Sequence, residues 1–169
     1  MTANEITPQS TCRCIICPDN FNLEKMSELL YHGVFLGEPK AQMRHKHAKL
    51  GKTDFITVYD PSAKEKRNFL SVLQSEAPKE PWDFPIMMEI NFYMSRPKGH
   101  YGTGKNKAVL KPLAPEWHSG RPDLDNLTKF IQDALNKVFY SDDSRIAQLV
   151  CRKLYSEKPR TEIFISSLL

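Results

Sequence analysis

The chain has 169 residues, a hydrophobic fraction of 40% and a formal net charge of +4. That length fits one domain with a real core, and no apolar run reaches the roughly 18 residues of a membrane-spanning helix. The first residues carry no charged start followed by an apolar segment, so no secretory signal is expected and the cytoplasm is the expected compartment. The four cysteines are then expected to stay reduced.

In chain order, residues 1–22 are polar and irregular, and residues 1–30 are set apart as an N-terminal extension of a domain spanning 31–169. Cys12, Cys14 and Cys17 form C-x-C-x2-C, with His32, His45 and His47 downstream. A structural zinc needs four such ligands, and no fourth stands at a regular spacing, so plain reduced thiols are favoured over zinc. Leu23 to Tyr31 is expected as a short helix or turn, and Gly33–Gly37 as a short strand. Lys40 to Lys52 then holds five Lys/Arg, two His and no acid. Its cations are Lys40, Arg44, Lys46, Lys49 and Lys52.

Phe55–Tyr59 alternates like a strand. Pro61 opens a predicted helix to about Ser75, with Phe69, Leu70, Val72 and Leu73 as apolar contacts. Pro78, Pro81 and Pro85 mark a linker. Ile86–Met94 reads as a central strand with Ile86, Met88, Ile90 and Phe92 on one face. A second basic stretch follows, with six Lys/Arg, two His and a single acid, Glu116. Its cations are Arg96, Lys98, Lys105, Lys107, Lys111 and Arg121. Both basic stretches contain glycine and read as loops able to bind DNA phosphates through counterion release. A solvated surface is the plainer alternative. Tyr101 and Trp117 could stack on an unpaired base or pack against their own loop.

Leu124, Leu127, Ile131, Ala134, Leu135 and Val138 recur at helical spacing and predict a helix over Leu124 to Val138. Pro122 suits its N-terminal boundary and Asp123 its cap. Asp125 and Lys129 lie one turn apart on the other face. Asp123 and Asp125, with Asp142-Asp143-Ser144 arriving later, form a set of oxygen donors suited to Mg²⁺, with Mn²⁺ as a substitute. Such an ion can polarise a phosphate and lower the pKa of an attacking water. Lys129 could contact a phosphate or steady a charged leaving oxygen. Spacing alone leaves a second reading open: a cap, a surface ion pair and an ordinary turn also explain each acid separately. Ile146–Tyr155 and Thr161–Ile165 read as a hairpin around Glu157–Arg160, with Cys151 in its core. Helices packed on one mixed sheet make an α+β domain.

Arg121-Pro-Asp-Leu-Asp-Asn-Leu-Thr-Lys129, Asp133-Ala-Leu-Asn136 and Tyr140-Ser-Asp-Asp-Ser144 together resemble the signature of the RusA-like endodeoxyribonucleases, which resolve Holliday junctions. The resemblance extends upstream to Gly37-Glu-Pro-Lys-Ala-Gln-Met-Arg44 and Tyr59-Asp-Pro-Ser62. Downstream it takes in Arg152-Lys153 and Glu157-Lys-Pro-Arg-Thr-Glu-Ile163. It covers about residues 33 to 165. It implies a magnesium-dependent, two-fold homodimer that cuts two strands of a four-way DNA junction. It assigns catalysis and metal binding to Asp123, Asp125 and Asp143, an important role to Lys129 and a secondary one to Asp142.

One geometric difficulty remains at this level. A helix from Leu124 to Val138 is about 22 Å long at 1.5 Å per residue, and Asp143 follows its far end. A shared ion then needs an early helix stop, a chain reversal, or Asp143 from a partner. Two other functions stay open on residue types alone. One is a non-catalytic module for branched DNA, the other a metal nuclease preferring flaps or other branches.

Overall fold

A computed structural model describes residues 28–44, 46–49 and 56–169. Six strands and two α-helices follow in order: β1 (Leu29–Leu36), β2 (Lys46–Lys49), β3 (Ile56–Tyr59), α1 (Ala63–Leu73), β4 (Ile86–Ser95), α2 (Leu124–Leu135), β5 (Ile146–Ser156) and β6 (Arg160–Ser167). Four strands form one sheet in the order β1-β6-β4-β5, and β2 and β3 form a separate ribbon. β4 runs parallel to β5 and antiparallel to β6, while β1 runs antiparallel to β6. The sheet is mixed, and the domain is α+β, as the element pattern predicts.

β4 organises the core. Ile86, Met88, Ile90 and Phe92 alternate onto one face and are fully buried. Ile163 and Ile165 of β6 and Leu127, Phe130, Ile131 and Leu135 of α2 pack in the same cluster. Phe69 joins the two helices to the sheet, lying 4.4 Å from the Phe35 ring and 5.9 Å from the Phe130 ring. The opposite sheet face is knitted by polar and aromatic pairs. Arg152 meets Glu89, and Arg160 meets Glu162 while lying 3.6 Å over the Tyr93 ring. The alternation of apolar and polar residues on β4 is what a sheet covered on one side requires.

Several sequence expectations are corrected. Of the helix or turn expected over Leu23 to Tyr31, Leu29 to Tyr31 is instead the start of β1, while residues 23–27 lie outside the described residues; the boundary at residue 30 falls inside a strand. The first basic stretch is not all loop, because Lys46–Lys49 pairs with Ile56–Tyr59. Val72 is 65% exposed and contributes nothing to the core, unlike Leu73. β5 and β6 do not form a hairpin. β4 lies between them, and the short link 157–159 crosses the end of that strand, spanning two inter-strand spacings of about 4.8 Å each. α2 ends at Leu135 rather than Val138. Val138 and Phe139 turn their N–H groups back to the Leu135 carbonyl, and Lys137 adopts a left-handed φ of 67°. The Tyr140 hydroxyl donates to the Gln132 carbonyl and holds the reversal. Cys12, Cys14, Cys17, His45, Lys52 and Phe55 lie outside the described residues.

Candidate active site

The start of α2 is fixed from outside the helix. Lys153, on β5, donates to the carbonyl oxygens of Gly120 (2.8 Å) and Pro122 (2.7 Å). A lysine amine holding two carbonyls that close to each other sets the path of the chain into Asp123. The adjoining part of the second basic stretch runs along β5, with His118 N donating to Lys153 O and Tyr155 N to Glu116 O. His118 packs on Tyr155. Burial first, and then the neighbouring Lys153 charge, lower the His118 pKa and favour its neutral imidazole.

Asp123 occupies the N-cap position, yet its side chain makes no capping hydrogen bond. Asp125 sits in the first turn, and both acids are exposed. Among the described residues, no cation lies within ion-pair distance of either carboxylate. The capping explanation for Asp123 is therefore not what the geometry displays. Asp123 faces a recess of about 680 Å³ that it shares with Gln42, Arg44, Arg121 and Asn126. Asp125 faces a groove between α2 and β5 lined by Leu124, Thr128, Gln132, Leu149 and Cys151. Cys151 is half-buried there and receives the Thr128 hydroxyl at 3.3 Å. Burial raises its thiol pKa.

Lys129 is exposed on the outer crest of α2, one turn beyond Asp125. Asp133 is engaged elsewhere, in an ion pair with Lys66 of α1 at 2.7 Å. Arg44 and Arg121 flank Asp123 across the recess. Lys40, Lys46, Lys98, Lys105 and Lys107 are exposed. Arg96 donates to Pro115 O and Lys111 to Gly99 O, so both brace the second basic stretch internally. Trp117 is 60% exposed while its backbone bridges to Leu154. Tyr101 bridges to Leu110 within its own loop. The side chain of Lys49 lies outside what is described.

Asp142 and Asp143 stand at the other end of α2. Asp142 accepts from Ser144 N at 3.1 Å and lies 3.5 Å from Lys137. The Ser144 N–H, then its hydroxyl, and less strongly Lys137, hold the Asp142 carboxyl down at about 2. Asp143 is exposed, in a single 3-10 turn leading into β5. Burial first, and then the Asp143 charge, raise the pKa of Tyr140. The separation from Asp123 follows from β5. Lys153, whose side chain bonds Pro122, and Ile146, three residues after Asp143 and bonded to its carbonyl, are seven positions apart on this strand, or about 23 Å at about 3.3 Å per residue. The early stop of α2 does not close that gap. Among the described residues, no three His, Cys, Asp or Glu side chains gather closely enough to hold a metal ion.

Two exposed carboxylates thus stand at one helix start, Asp123 in a recess with Arg44 and Arg121 and Asp125 in the neighbouring groove. Residues 37–166 match the family model of the endodeoxyribonuclease RusA. The chain is 32% identical over 137 residues to the uncharacterized protein YqaN of Bacillus subtilis, covering 76% of this chain and 90% of that protein. It is 32% identical over 121 residues to a protein of Lactococcus phage r1t named crossover junction endodeoxyribonuclease rusA, covering 70% of this chain and 81% of the phage protein. The chain belongs to the RusA family of endodeoxyribonucleases.

Sequence reasoning proposed the acids and the basic stretches but missed the residues that place them. Lys153 stood within a stretch noted only for resemblance, and Gln42 and Asp60 likewise. Their roles run through hydrogen bonds between distant segments, which leave no periodic trace in the sequence.

Proposed function

We propose that this enzyme resolves four-way DNA junctions by paired, divalent-metal-dependent phosphodiester hydrolysis, acting as a two-fold homodimer in DNA recombination and repair. The observation that carries this reading is the pair Asp123 and Asp125 at the start of α2, with Arg44 and Arg121 in the recess of Asp123, inside the segment matched to the family. The phage relative's name supports the junction as substrate. A junction has two strands to cut in symmetric positions, and a two-fold protein supplies two equivalent sites.

The donor set fits a hard cation. Asp123 and Asp125 have no ion-pair partner among the described residues, and their oxygens suit Mg²⁺ together with water and substrate phosphate. The third donor is Asp143 of the partner subunit, because the same chain's Asp143 lies on the order of 20 Å away. Two copies approaching with their α2 helices antiparallel would bring one helix start beside the other's Asp143 turn. When bound, the ion supplies charge neutralisation at the phosphate and an acidified water.

The chain's own residues do the rest. Arg44 and Arg121 hold the DNA backbone next to the acids, and as phosphate contacts they fix register rather than read sequence. Lys129 offers positive charge one turn along the helix, where negative charge develops as the phosphodiester opens. Lys153 keeps Asp123 at its place by fixing the carbonyls before it. Asp142 stays in its turn and supports Asp143. The exposed lysines of both basic stretches hold the arms of the junction.

The test is cleavage of end-labelled four-way junction, flap and linear duplex with Mg²⁺, with Mn²⁺ and with chelator. Metal-dependent, symmetric cuts in the junction are expected. Preferential cutting of flaps would replace the junction with another branch. Tight binding without any cleavage in either metal would favour a non-catalytic module.

A further inference from the structure

Three donors converge on the Asp60 carboxylate. Lys66 Nζ reaches Oδ2 at 2.8 Å, and Gln42 Nε2 and Ser62 N reach Oδ1 at 3.1 and 2.8 Å. Two of these donors lead into the loop before β2. Gln42 is itself in that loop, and its backbone N–H bonds Asn126 O, in the first turn of α2, at 2.8 Å. Ser62, which is almost fully buried, leaves α1 uncapped and instead takes the Met43 N–H at 2.9 Å on its hydroxyl. The two consecutive residues before Arg44 are thus pinned, one to α2 and both through the Asp60–Ser62 corner. Lys66 then ties the corner to α2 a second time, at Asp133.

We propose that Asp60 is a positioning residue for DNA binding: its carboxylate fastens residues 42–43 against α2, so that Arg44 is presented to the recess beside Asp123. This rests on the reading of that recess as the place where the DNA backbone meets the acids. Asp60 touches no DNA and makes no contact with the acids. Its effect passes through the orientation of one arginine, because an arginine on an unpinned loop must be ordered at the moment of binding, which weakens the contact.

The experiment is a double-mutant cycle on four-way junction binding, measured in chelator so that no cleavage occurs, with D60A, R44A and the double variant. R44A is expected to weaken binding roughly tenfold and to lower the slope of log affinity against log salt by about one. D60A should weaken binding roughly fivefold and lower the slope in the same direction, and the double variant should be no worse than R44A alone. D60N keeps a carbonyl oxygen for Gln42 Nε2 and Ser62 N, and should recover most of the affinity. Should D60A fail to fold by thermal unfolding, S62A, which removes only the acceptor of Met43 N, takes its place in the cycle. Additive losses, or a D60A loss with an unchanged salt slope, would show a general structural role and overturn the proposal. An R44A variant that binds like the wild type would instead overturn the reading of the recess itself, and the proposal with it.

Discussion

The two ends of α2 carry the same kind of residue in opposite circumstances. At the N-terminal end Asp123 stands at the cap position without capping, and Asp125 faces an open groove. At the C-terminal end Asp142 is committed to the Ser144 N–H and leans toward Lys137. A short polar side chain at a helix terminus usually finds a backbone partner. An acid that declines this opportunity is available to an ion or a phosphate, and an acid that takes it is structural. Asp143, next to Asp142, falls in the first group, which is why the two neighbours are assigned different roles.

Substitution separates the groups most sharply. Asp123→Asn, Asp125→Asn and Asp143→Asn should each reduce junction cleavage about 10³-fold, while junction binding in chelator stays close to wild type. Asp142→Asn should leave most of the activity, because an amide oxygen still accepts the Ser144 N–H. Equal losses at Asp142 and Asp143, read from single-turnover rates, would erase the distinction.

A smaller effect is expected from the support of the N-terminal end. Lys153→Met frees the Gly120 and Pro122 carbonyls and should lower the single-turnover rate roughly tenfold with little change in junction affinity, a loss of about the size of one charged hydrogen bond. Lys153→Arg should restore part of it. A loss of affinity with an unchanged rate would place Lys153 among the DNA contacts instead. Arg121→Ala, across the recess from Arg44, should weaken binding roughly tenfold at any sequence and reduce the salt slope by about one.

The Asp60 corner gives a pH dependence. Burial alone would raise the Asp60 pKa, but the hydrogen bonds from Lys66, Ser62 N and Gln42 outweigh it and bring the value from 3.8 down to about 2. A carboxyl held lower in the folded state adds stability that is complete above the unfolded value and lost as pH falls through the folded one. The facing charges are Lys66 and, beyond it, Asp133. Urea unfolding of wild type and Asp60→Asn should therefore converge between about pH 4 and pH 2; parallel curves across that window would contradict the linkage. The mildest change is Lys137→Gly. Lys137 follows α2 with a φ of 67°, where glycine is the usual residue, so the variant should gain up to about 1 kcal/mol in unfolding free energy.

The contrast between the helix ends also marks what the sequence could convey. The apolar stripe from Leu127 to Leu135 and the alternation from Ile86 to Phe92 are periodic, and the structure buries both, while Leu124 at the head of the predicted stripe is exposed. The stripe ran on to Val138 because nothing in Lys137 signals a stop; the reversal depends on the Tyr140–Gln132 bond, a contact formed only after folding. Neighbourhood in the chain suggested a β5–β6 hairpin, but β4, with Ile86, Met88, Ile90 and Phe92 fully buried, takes the place between them where both edges are paired. The acids were read as one set, whereas the structure keeps Asp123 and Asp125 at one end of α2 and Asp143 beyond the other. Which of them remain without partners was not legible, since that depends on Lys66, Ser144 and Lys153 arriving from elsewhere.

The separation of Asp123 and Asp143 is the point on which the composite site turns. The direct measurement mixes differently tagged Asp123→Asn and Asp143→Asn subunits, purifies the mixed dimer through both tags and follows junction nicking in Mg²⁺. One site of that dimer retains Asp123 and Asp125 of one subunit with Asp143 of the other, so single-strand nicking should return while either variant alone stays inactive. A mixed dimer that assembles, binds the junction and never nicks it would contradict a site shared between subunits.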